Sequence, residues 1–287
     1  MANCFFVSDL HGAVERYQKL FRVVAAERPE ALFIGGDFLP LEFAIPKSLN
    51  IFRQDFIHGY LVKQLLRMRR ELKNSYPRIF LIMGNDDPRF EEAAVLDAAT
   101  LEVWEYIPNR KVKFKNFYIY GYAYVPPTPF RLKDWERYDV SRYVDPGCIS
   151  PEEGMRSFPV SDQEKRYATI QNDLARLAGD ENLDRAIFLF HAPPYKTKLD
   201  LAALEGKKID HVPLDQHLGS IAIRRFIESR QPLLTLHGHI HESARLSFSW
   251  QDFLGRTYCF SAAHDGPELA LIRFDPDNLE AATRQLI

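Results

Sequence analysis

Five short apolar runs, each followed within three residues by a polar side chain, constrain the fold of this sequence most strongly. Stretches with a helical pattern separate several of them, and the runs occupy residues 4–7, 31–34, 79–83, 186–190 and 233–236. Short buried runs that alternate with helices are typical of an α/β fold. In an open α/β sheet, ligands collect at the carboxyl ends of the strands. The polar residues after these runs are therefore predicted to lie along one edge.

The helical stretches are predicted at about 14–27 and 50–74, from Ser161, and after Gly219. Ser161 and Glu164 have the spacing of a capping box, which predicts where the third of these helices begins. Two regions lack a helix between apolar segments. Residues 101–125 predict two or three strands, and 244–274 predict three more, in RLSFSW, RTYCFSA and ELALIRF.

These patterns together predict an α/β protein with two mixed β-sheets flanked by helices. The second sheet is expected to be partly antiparallel. We expect residues 1–287 to form one domain, with a loop insertion rich in proline and aromatic residues at about 124–159. Its aromatic side chains could stack on an organic group or simply pack the insertion itself.

Composition excludes several classes of protein. Of the 287 residues 46% are hydrophobic, which is enough for a substantial core, and the net charge of −2 gives no strong attraction to nucleic acid or membrane. Three widely spaced cysteines, Cys4, Cys148 and Cys259, favour free thiols in a reducing compartment. No apolar run has the length of a membrane span, and no signal peptide is evident. We therefore expect a cytoplasmic protein without a membrane partner.

Each apolar run is followed by residues that can bind a metal ion. The five segments are SDLHG at 8–12, GGD at 35–37, GNDD at 84–87, HAPP at 191–194 and HGHIH at 237–241. Each segment alone is weak evidence, because a lone histidine at a strand end is more often a hydrogen-bonded structural residue. His239 and His241 are two residues apart, so in a strand they would face the same side. The ordered set of five predicts a metal centre.

In this order the segments resemble the calcineurin-like metallophosphoesterase superfamily over residues 4–265. The family pattern is Asp-x-His, Gly-Asp, Gly-Asn-His-Asp/Glu, a histidine after a strand, and Gly-His-x-His. The segments HLGS at 217–220 and GHIHES at 238–243 are similar to a branch of predicted cytoplasmic Icc-related phosphoesterases. The resemblance implies a first ion held by Asp9, His11, Asp37 and His241, and a second held by Asn85, His191, His239 and the shared Asp37.

The mixture of imidazole, carboxylate and amide ligands predicts two divalent transition metal ions. Manganese is the leading candidate, with iron, zinc, nickel and cobalt as alternatives, and the set does not favour calcium or magnesium. Two such ions about 4 Å apart would bind a phosphoryl group and activate a bridging hydroxide to attack phosphorus. The sequence therefore predicts a metal-dependent phosphoric ester hydrolase with a small-molecule phosphoester substrate.

Asp86 departs from the family pattern, because it stands where the family has the histidine of Gly-Asn-His. The resemblance implies that this histidine contacts the phosphate and protonates the leaving oxygen, whereas an aspartate is normally ionised at neutral pH. Two divalent ions, two carboxylates and a hydroxide give a formal charge of about +1, which an inward-facing ionised Asp86 cancels. A monoanionic diester should then be a better substrate than a dianionic monoester. Alternatively, Asp86 turns away from the site.

The remaining candidates are assigned to catalysis or substrate binding. The catalytic candidates are Asp86, Asp87 and His191, with Asp87 expected to bond a ligand histidine or nearby backbone. Substrate contacts are predicted for Asn85, Asp86, His217 and His264. His217 precedes a helix start at Ser220 that could receive an anion, or could simply be a capped helix beside a surface histidine. His237 is predicted to be structural.

The favoured function is a phosphodiesterase on small-molecule or nucleotide diesters. One alternative is a protein-binding scaffold with weak or no catalysis, which the replaced histidine favours and the intact ligand set opposes. A nuclease is a third possibility, disfavoured by the near-neutral charge and the lack of a basic, aromatic face. The sequence leaves the oligomeric state open.

Overall fold

Fourteen strands lie in the part of the chain that the structure describes. The computed structural model describes residues 3–40 and 55–287. In chain order, the strands are β1 (Cys4–Val7), β2 (Ala31–Gly35), β3 (Arg78–Ile82), β4 (Glu105–Tyr106), β5 (Arg110–Phe114), β6 (Phe117–Tyr122), β7 (Ala186–Phe190), β8 (Lys208–Ile209), β9 (Val212–Pro213), β10 (Leu234–His237), β11 (Gln251–Leu254), β12 (Thr257–Ser261), β13 (Ala270–Asp275) and β14 (Asn278–Leu286).

Twelve of these strands form two six-stranded mixed sheets, with the orders β14-β13-β1-β2-β3-β4 and β11-β12-β10-β7-β6-β5. In the first sheet β1 to β4 are parallel, β13 pairs antiparallel with β1, and β14 pairs antiparallel with β13. In the second, β12, β10, β7 and β6 are parallel, with an antiparallel strand at each edge. The remaining pair, β8 and β9, forms a small hairpin.

Seven α-helices lie between the strands in the described part of the chain. They are α1 (Val14–Glu27), α2 (Lys63–Leu72), α3 (Glu92–Thr100), α4 (Asp162–Tyr167), α5 (Ile170–Ala178), α6 (Ile221–Arg230) and α7 (Ser243–Ser247). The predicted α/β fold of two mixed sheets flanked by helices is confirmed. None of the helices in the described ranges is long and apolar enough to cross a membrane.

The core lies between the sheets, because the central strands are apolar along their whole length. Every residue of β1, β2 and β7 is buried, as expected for parallel strands covered on both faces. Phe260 of β12 and Phe274 of β13 place their ring centres 6.3 Å apart, so side chains of the two sheets meet directly. Packing between the two sheets therefore fixes the positions of the carboxyl ends of their strands.

Helix boundaries follow local signals where those exist. Ser161 caps α4 by accepting a 3.1 Å hydrogen bond from the Glu164 N–H, which confirms the predicted start. The predicted helix at 50–74 is described only from Asp55 onward: a π-helical turn at Ile57–Val62 precedes α2, and a 3₁₀ turn follows it at Lys73–Ser75. The part at 50–54 lies outside the described residues.

One predicted strand is wrong. The segment RLSFSW was expected to be extended, but α7 covers Ser243–Ser247, and β11 begins only at Gln251. Alternation of apolar and polar residues over so short a stretch also suits a single helical turn. β14 was not predicted, because most of its residues are exposed and its apolar content is low.

The stretch at 124–159 packs largely around its own side chains. Tyr124, Trp135 and Tyr138 are buried, and Phe130 is 59% exposed. Lys133 is fully buried and donates a 2.5 Å hydrogen bond to Glu136, which is also fully buried. These contacts favour the packing interpretation for the buried aromatic residues over a stacking platform, whereas Phe130, Tyr143 and Phe158 are more than half exposed.

Candidate metal centre

The loops that follow β1, β2, β3, β7 and β10 carry the candidate ligands. Within the first sheet β1, β2 and β3 are parallel neighbours, and within the second β7 and β10 are. Their carboxyl ends therefore present side chains to a common cleft. The bond from Gly238 N–H to the His191 carbonyl, 2.9 Å long, ties the loops after β7 and β10 together.

The first group of candidate ligands contains two carboxylates and two imidazoles. One side-chain donor atom from each lies within 4.8 Å of the others, and the members are Asp9, His11, Asp37 and His241. The Nε2 atoms of His11 and His241 are 3.2 Å apart. His241 Nε2 is 3.5 Å from Asp9 Oδ1. This spacing would allow one cation to contact all four residues.

The second group shares Asp37 with the first. Donor atoms of Asp37, His191 and His239 lie within 4.8 Å of one another. His191 Nε2 is 3.1 Å from Asp37 Oδ2 and 3.0 Å from the amide oxygen of Asn85. Its other ring nitrogen, Nδ1, lies 2.8 Å from the Gly35 carbonyl, which fixes the ring orientation. The structure thus brings together all seven residues that the sequence singled out as ligands.

His239 and His241 come together for a different reason from the predicted one. β10 ends at His237, and His239 has a φ of 74°, so neither histidine lies in a strand. The two imidazoles belong to different groups, and only Asp37 is common to both. The His237 side chain is buried, with Nδ1 2.9 Å from the Ala192 carbonyl and Nε2 2.7 Å from the Thr235 hydroxyl, so both ring nitrogens have partners within the protein.

Two buried polar atoms test whether metal ions suit the site. Asp9 Oδ2 and His11 Nδ1 are buried, and neither has a hydrogen-bond partner among residues 3–40 and 55–287. Leaving such atoms without partners is costly unless something else contacts them. Both atoms belong to members of the first group of candidate ligands. The candidate ligand atoms are a mixture of nitrogen and oxygen, which suits transition metals. The residues therefore fit a dinuclear divalent centre.

The pKa values show how the buried carboxylates are balanced by protons. Burial alone would lower the pKa of His191, but Asp37 and Asp9 raise it to about 10. Burial likewise opposes the charge on His241, yet Asp9 raises its pKa to about 9. Burial and the neighbouring His191 lower the pKa of His239 to about 3. Since ligand histidines must be neutral, metal binding here should release protons.

Asp86 faces this cluster rather than solvent. Its Oδ1 accepts a 2.8 Å hydrogen bond from the Asn85 amide, and its Oδ2 is 3.9 Å from His11 Nδ1. Its backbone N–H donates to Asp37 Oδ1 at 2.8 Å. Burial and then the charge of Asp37 raise the pKa of Asp86 to about 7 without metal ions. The carboxylate thus lies beside candidate ligands of both groups.

Asp87 holds the loops that carry Asp37 and Asn85. It is fully buried and accepts hydrogen bonds from the backbone N–H groups of Phe38, Leu39 and Gly84, at 3.3, 2.8 and 2.9 Å. Of the two roles predicted for it, the structure shows bonding to neighbouring backbone. Gly84 is required here, because a Cβ at that position would lie 2.2 Å from Asp37 Oδ1.

His217 lies on a loop of the second sheet and is oriented by a buried carboxylate. Its Nδ1 is 2.8 Å from Asp200 Oδ1, and Asp200 is fully buried. The helix start at Ser220 is not open to an external anion, because Asp139 accepts hydrogen bonds from the Ser220 hydroxyl and the Ile221 N–H, at 2.5 and 2.7 Å. The capped-helix alternative therefore describes the helix start, and a contact of His217 itself with substrate stays a prediction.

His264 lies in the loop after β12, with Nε2 2.9 Å from Glu268. Arg16 ties this loop to the first ligand turn, because its guanidinium donates to the carbonyls of Gly266 and Asp9. Sequence reasoning missed Arg16, Asp139 and Asp200. Only the position of Arg16, in the first helical turn after DLHG, gave any signal, and it was a weak one.

Two overlapping groups of candidate metal-binding residues lie at the carboxyl edge of a two-sheet α/β sandwich, which is the arrangement expected of a metallophosphoesterase. The sequence matches the calcineurin-like phosphoesterases over residues 3–243, and the chain belongs to that family. Members of this family are metal-dependent phosphoesterases that normally use a dinuclear divalent centre.

Two solved structures support the fold. One crystal structure is 15% identical in sequence, with a TM-score of 0.56, and the match covers 99% of this chain and 98% of the chain in that structure. The protein TT1561 of Thermus thermophilus is 16% identical, with a TM-score of 0.52 and coverage of 99% and 98%. An archaeal phosphodiesterase is more distant, at 9% identity, with a TM-score of 0.45 and coverage of 99% of each chain. A search of curated proteins finds no match.

Proposed function

We propose that the protein is a dimetal-dependent phosphodiesterase for small-molecule or nucleotide diesters. The observation that carries this proposal is the position of Asp86, whose carboxylate is 3.9 Å from His11 and bonded to Asn85. A negative group there repels a dianionic monoester more strongly than a monoanionic diester. Two cations beside Asp86 would lower its pKa below the value of about 7 that it has without them, so the carboxylate would be ionised and provide no ready proton donor. Esters with good leaving groups should therefore react fastest.

The ligands would be divided between two ions. Asp9, His11 and His241 would hold one ion, Asn85, His191 and His239 would hold the other, and Asp37 would contact both. When bound, two such ions supply a water of lowered pKa and positive charge for the phosphoryl group. Asp87 keeps the loops of Asp37 and Asn85 in register through its three backbone bonds. Manganese is the preferred ion, with iron, zinc, nickel and cobalt as alternatives.

Four residues are proposed to contact substrate. Asn85 and Asp86 lie within the ligand cluster itself. His264 lies on a loop joined to the Asp9 turn through Arg16, and His217 is held with its Nε2 directed away from Asp200. The positions of these two histidines, outside the cluster, suit contacts to the outer part of a substrate rather than to the reacting phosphorus.

We further propose that residues 1–287 form one domain, that the insertion at 124–159 shapes one side of the cleft, and that the protein acts in the cytoplasm. Asp134 supports the second point, because it accepts hydrogen bonds from the backbone N–H groups of Arg89 and Ser157, at 2.8 and 2.9 Å. Arg89 is only three residues beyond Asp86. The net charge of −2 supports a small substrate over nucleic acid.

Hydrolysis of two related model substrates tests the diester preference. Metal-free protein is reloaded with each candidate ion, and kcat/KM is measured for bis-p-nitrophenyl phosphate and p-nitrophenyl phosphate. We expect the diester to react faster, with manganese giving the highest rate. Faster hydrolysis of the monoester would refute the preference. Stoichiometric metal binding without hydrolysis of either ester would instead favour the scaffold function.

Asp37→Asn tests the metal centre. Asp37 is 1% exposed and common to both groups, and asparagine keeps its size and its bond to the Asp86 N–H. Removing one charged partner of a buried pair costs about 3–5 kcal/mol, which corresponds to about 10²–10⁴-fold weaker metal binding. Asp162→Asn, at a side chain that is 92% exposed, is the control. Full metal-dependent activity of Asp37→Asn would contradict the assignment.

A further inference from the structure

Arg16 links a proposed metal ligand to a loop at the rim of the cleft. It lies in the first turn of α1 and is partly buried. One guanidinium nitrogen donates to the Asp9 carbonyl at 2.7 Å, and the other terminal nitrogen donates to the Gly266 carbonyl. We propose that Arg16 is a positioning residue, which fixes the Asp9 ligand turn and the rim loop, residues 263–266, as one unit. This inference rests on the proposed metal centre.

Asp9 needs external support because its backbone is strained. Its φ of 56° is in the left-handed region, which residues other than glycine rarely adopt. Its N–H bonds the Gly36 carbonyl at 3.1 Å, and its Oδ1 accepts from the His239 N–H at 3.0 Å. The bond from Arg16 satisfies the carbonyl. These three bonds satisfy the N–H, the carbonyl and Oδ1 of Asp9. Oδ2 is buried and has no hydrogen-bond partner within the described ranges.

The rim loop depends on arginines from three separate elements. Arg284 of β14 donates to the Ala263 carbonyl at 2.8 Å, and Arg245 of α7 contacts Asp265 at 2.8 Å. Arg16 completes the set at Gly266 and alone among the three also contacts the Asp9 turn. Because His264 lies in this loop, a displacement at Arg16 should alter both metal binding and contacts to the outer part of the substrate.

Charge alone predicts the opposite effect from positioning. A guanidinium beside a cation site repels the cation, so removing only its charge should strengthen metal binding. Removing the bridge should weaken metal binding, because Asp9 loses one of the bonds that hold its turn. Lysine keeps the charge, but its single ammonium lacks the planar fork that reaches two carbonyls at once. The two substitutions Arg16→Lys and Arg16→Met therefore separate the two effects.

Calorimetric titration of metal-free protein with Mn²⁺ tests the proposal. The variants are Arg16→Lys and Arg16→Met, and the control is Arg22→Met on the exposed face of the same helix. We expect both Arg16 variants to bind Mn²⁺ about 10–100-fold more weakly, the range seen when residues that orient metal ligands are replaced. The control should match wild type. Tighter binding by Arg16→Met, or unchanged binding by Arg16→Lys, would overturn the proposal.

Amide hydrogen exchange gives a second readout that needs no metal ion. In metal-free protein, both Arg16 variants should exchange faster than wild type at residues 263–269, and Arg22→Met should not. Unchanged exchange in both variants would also overturn the proposal. If wild type fails to bind Mn²⁺ while the exchange difference appears, the proposed metal centre fails and the structural link through Arg16 stands.

Discussion

Replacing Asp86 by asparagine should weaken the preference for diesters, and the structure allows the size of this effect to be worked out. Asparagine has nearly the same shape and can still accept the bond from the Asn85 amide that Asp86 accepts at 2.8 Å. The bond from its backbone N–H to Asp37 is also retained. The substitution therefore removes one negative charge beside the ligand cluster and little else.

The magnitude follows from the extra charge of a monoester. A monoester dianion carries one more negative charge than a diester, at roughly 6 Å from the Asp86 carboxylate, which costs about 2–3 kcal/mol at an effective dielectric constant of ~20. The side chain of Asp86 is 27% exposed, so water screens part of this repulsion. We therefore expect the ratio of kcat/KM for diester to that for monoester to fall by about tenfold or somewhat more, at 1.4 kcal/mol per factor of ten.

The assay compares bis-p-nitrophenyl phosphate with p-nitrophenyl phosphate at saturating Mn²⁺ and pH 8. Asp86→His is the informative companion, because it restores the proton donor of the family pattern and should raise the monoester rate further. Asp162→Asn, at a solvent-exposed side chain of α4, controls for the change in net charge. A ratio in Asp86→Asn that stays constant or moves toward diesters would refute the electrostatic reasoning.

Three further predictions test other parts of the molecule. Burial lowers the pKa of His237 to about 3, below its value near 6.5 in the unfolded chain, so the free energy of unfolding should fall by about 2 kcal/mol from pH 7 to pH 5. In urea unfolding, His237→Gln should remove most of this loss. In Gly238→Ala the new Cβ would lie 2.6 Å from Asp9 Oδ2, so calorimetry should show about tenfold or weaker Mn²⁺ binding. Lys133→Met leaves the buried Glu136 without its partner and should reduce the free energy of unfolding by about 3–5 kcal/mol. The double variant with Glu136→Leu should recover much of that stability.

The central strands could be predicted from sequence because each is a largely apolar run with a polar side chain within the next three residues. β1, β2 and β7 are buried throughout, so no alternation of exposed residues blurs the pattern. Edge elements gave weaker signals. β14 is paired on one side only and mostly exposed, and α7 is a single short turn whose conformation its neighbours decide.

The candidate ligands could be predicted residue by residue, but their supports could not. Asp139 reaches the start of α6 from 82 positions away in the chain, and Arg16 reaches Gly266 from 250. No periodicity links residues so far apart, and a single sequence carries no record of which charged side chains become buried. Asp200 therefore looked like any surface aspartate until the fold placed it against His217.

Four of the seven candidate ligands have a backbone conformation that is costly for residues other than glycine. Asp9, His11, Asp37 and His239 all have positive φ values, between 45° and 74°. Each such residue costs of order 1–3 kcal/mol, and the surrounding hydrogen bonds must hold it in place. The buried carboxylates add a second cost, which protons on His191 and His241 partly offset without metal ions. Two bound cations would replace those protons, so the stability gained from Mn²⁺ should increase from pH 6 to pH 8 as proton release becomes easier.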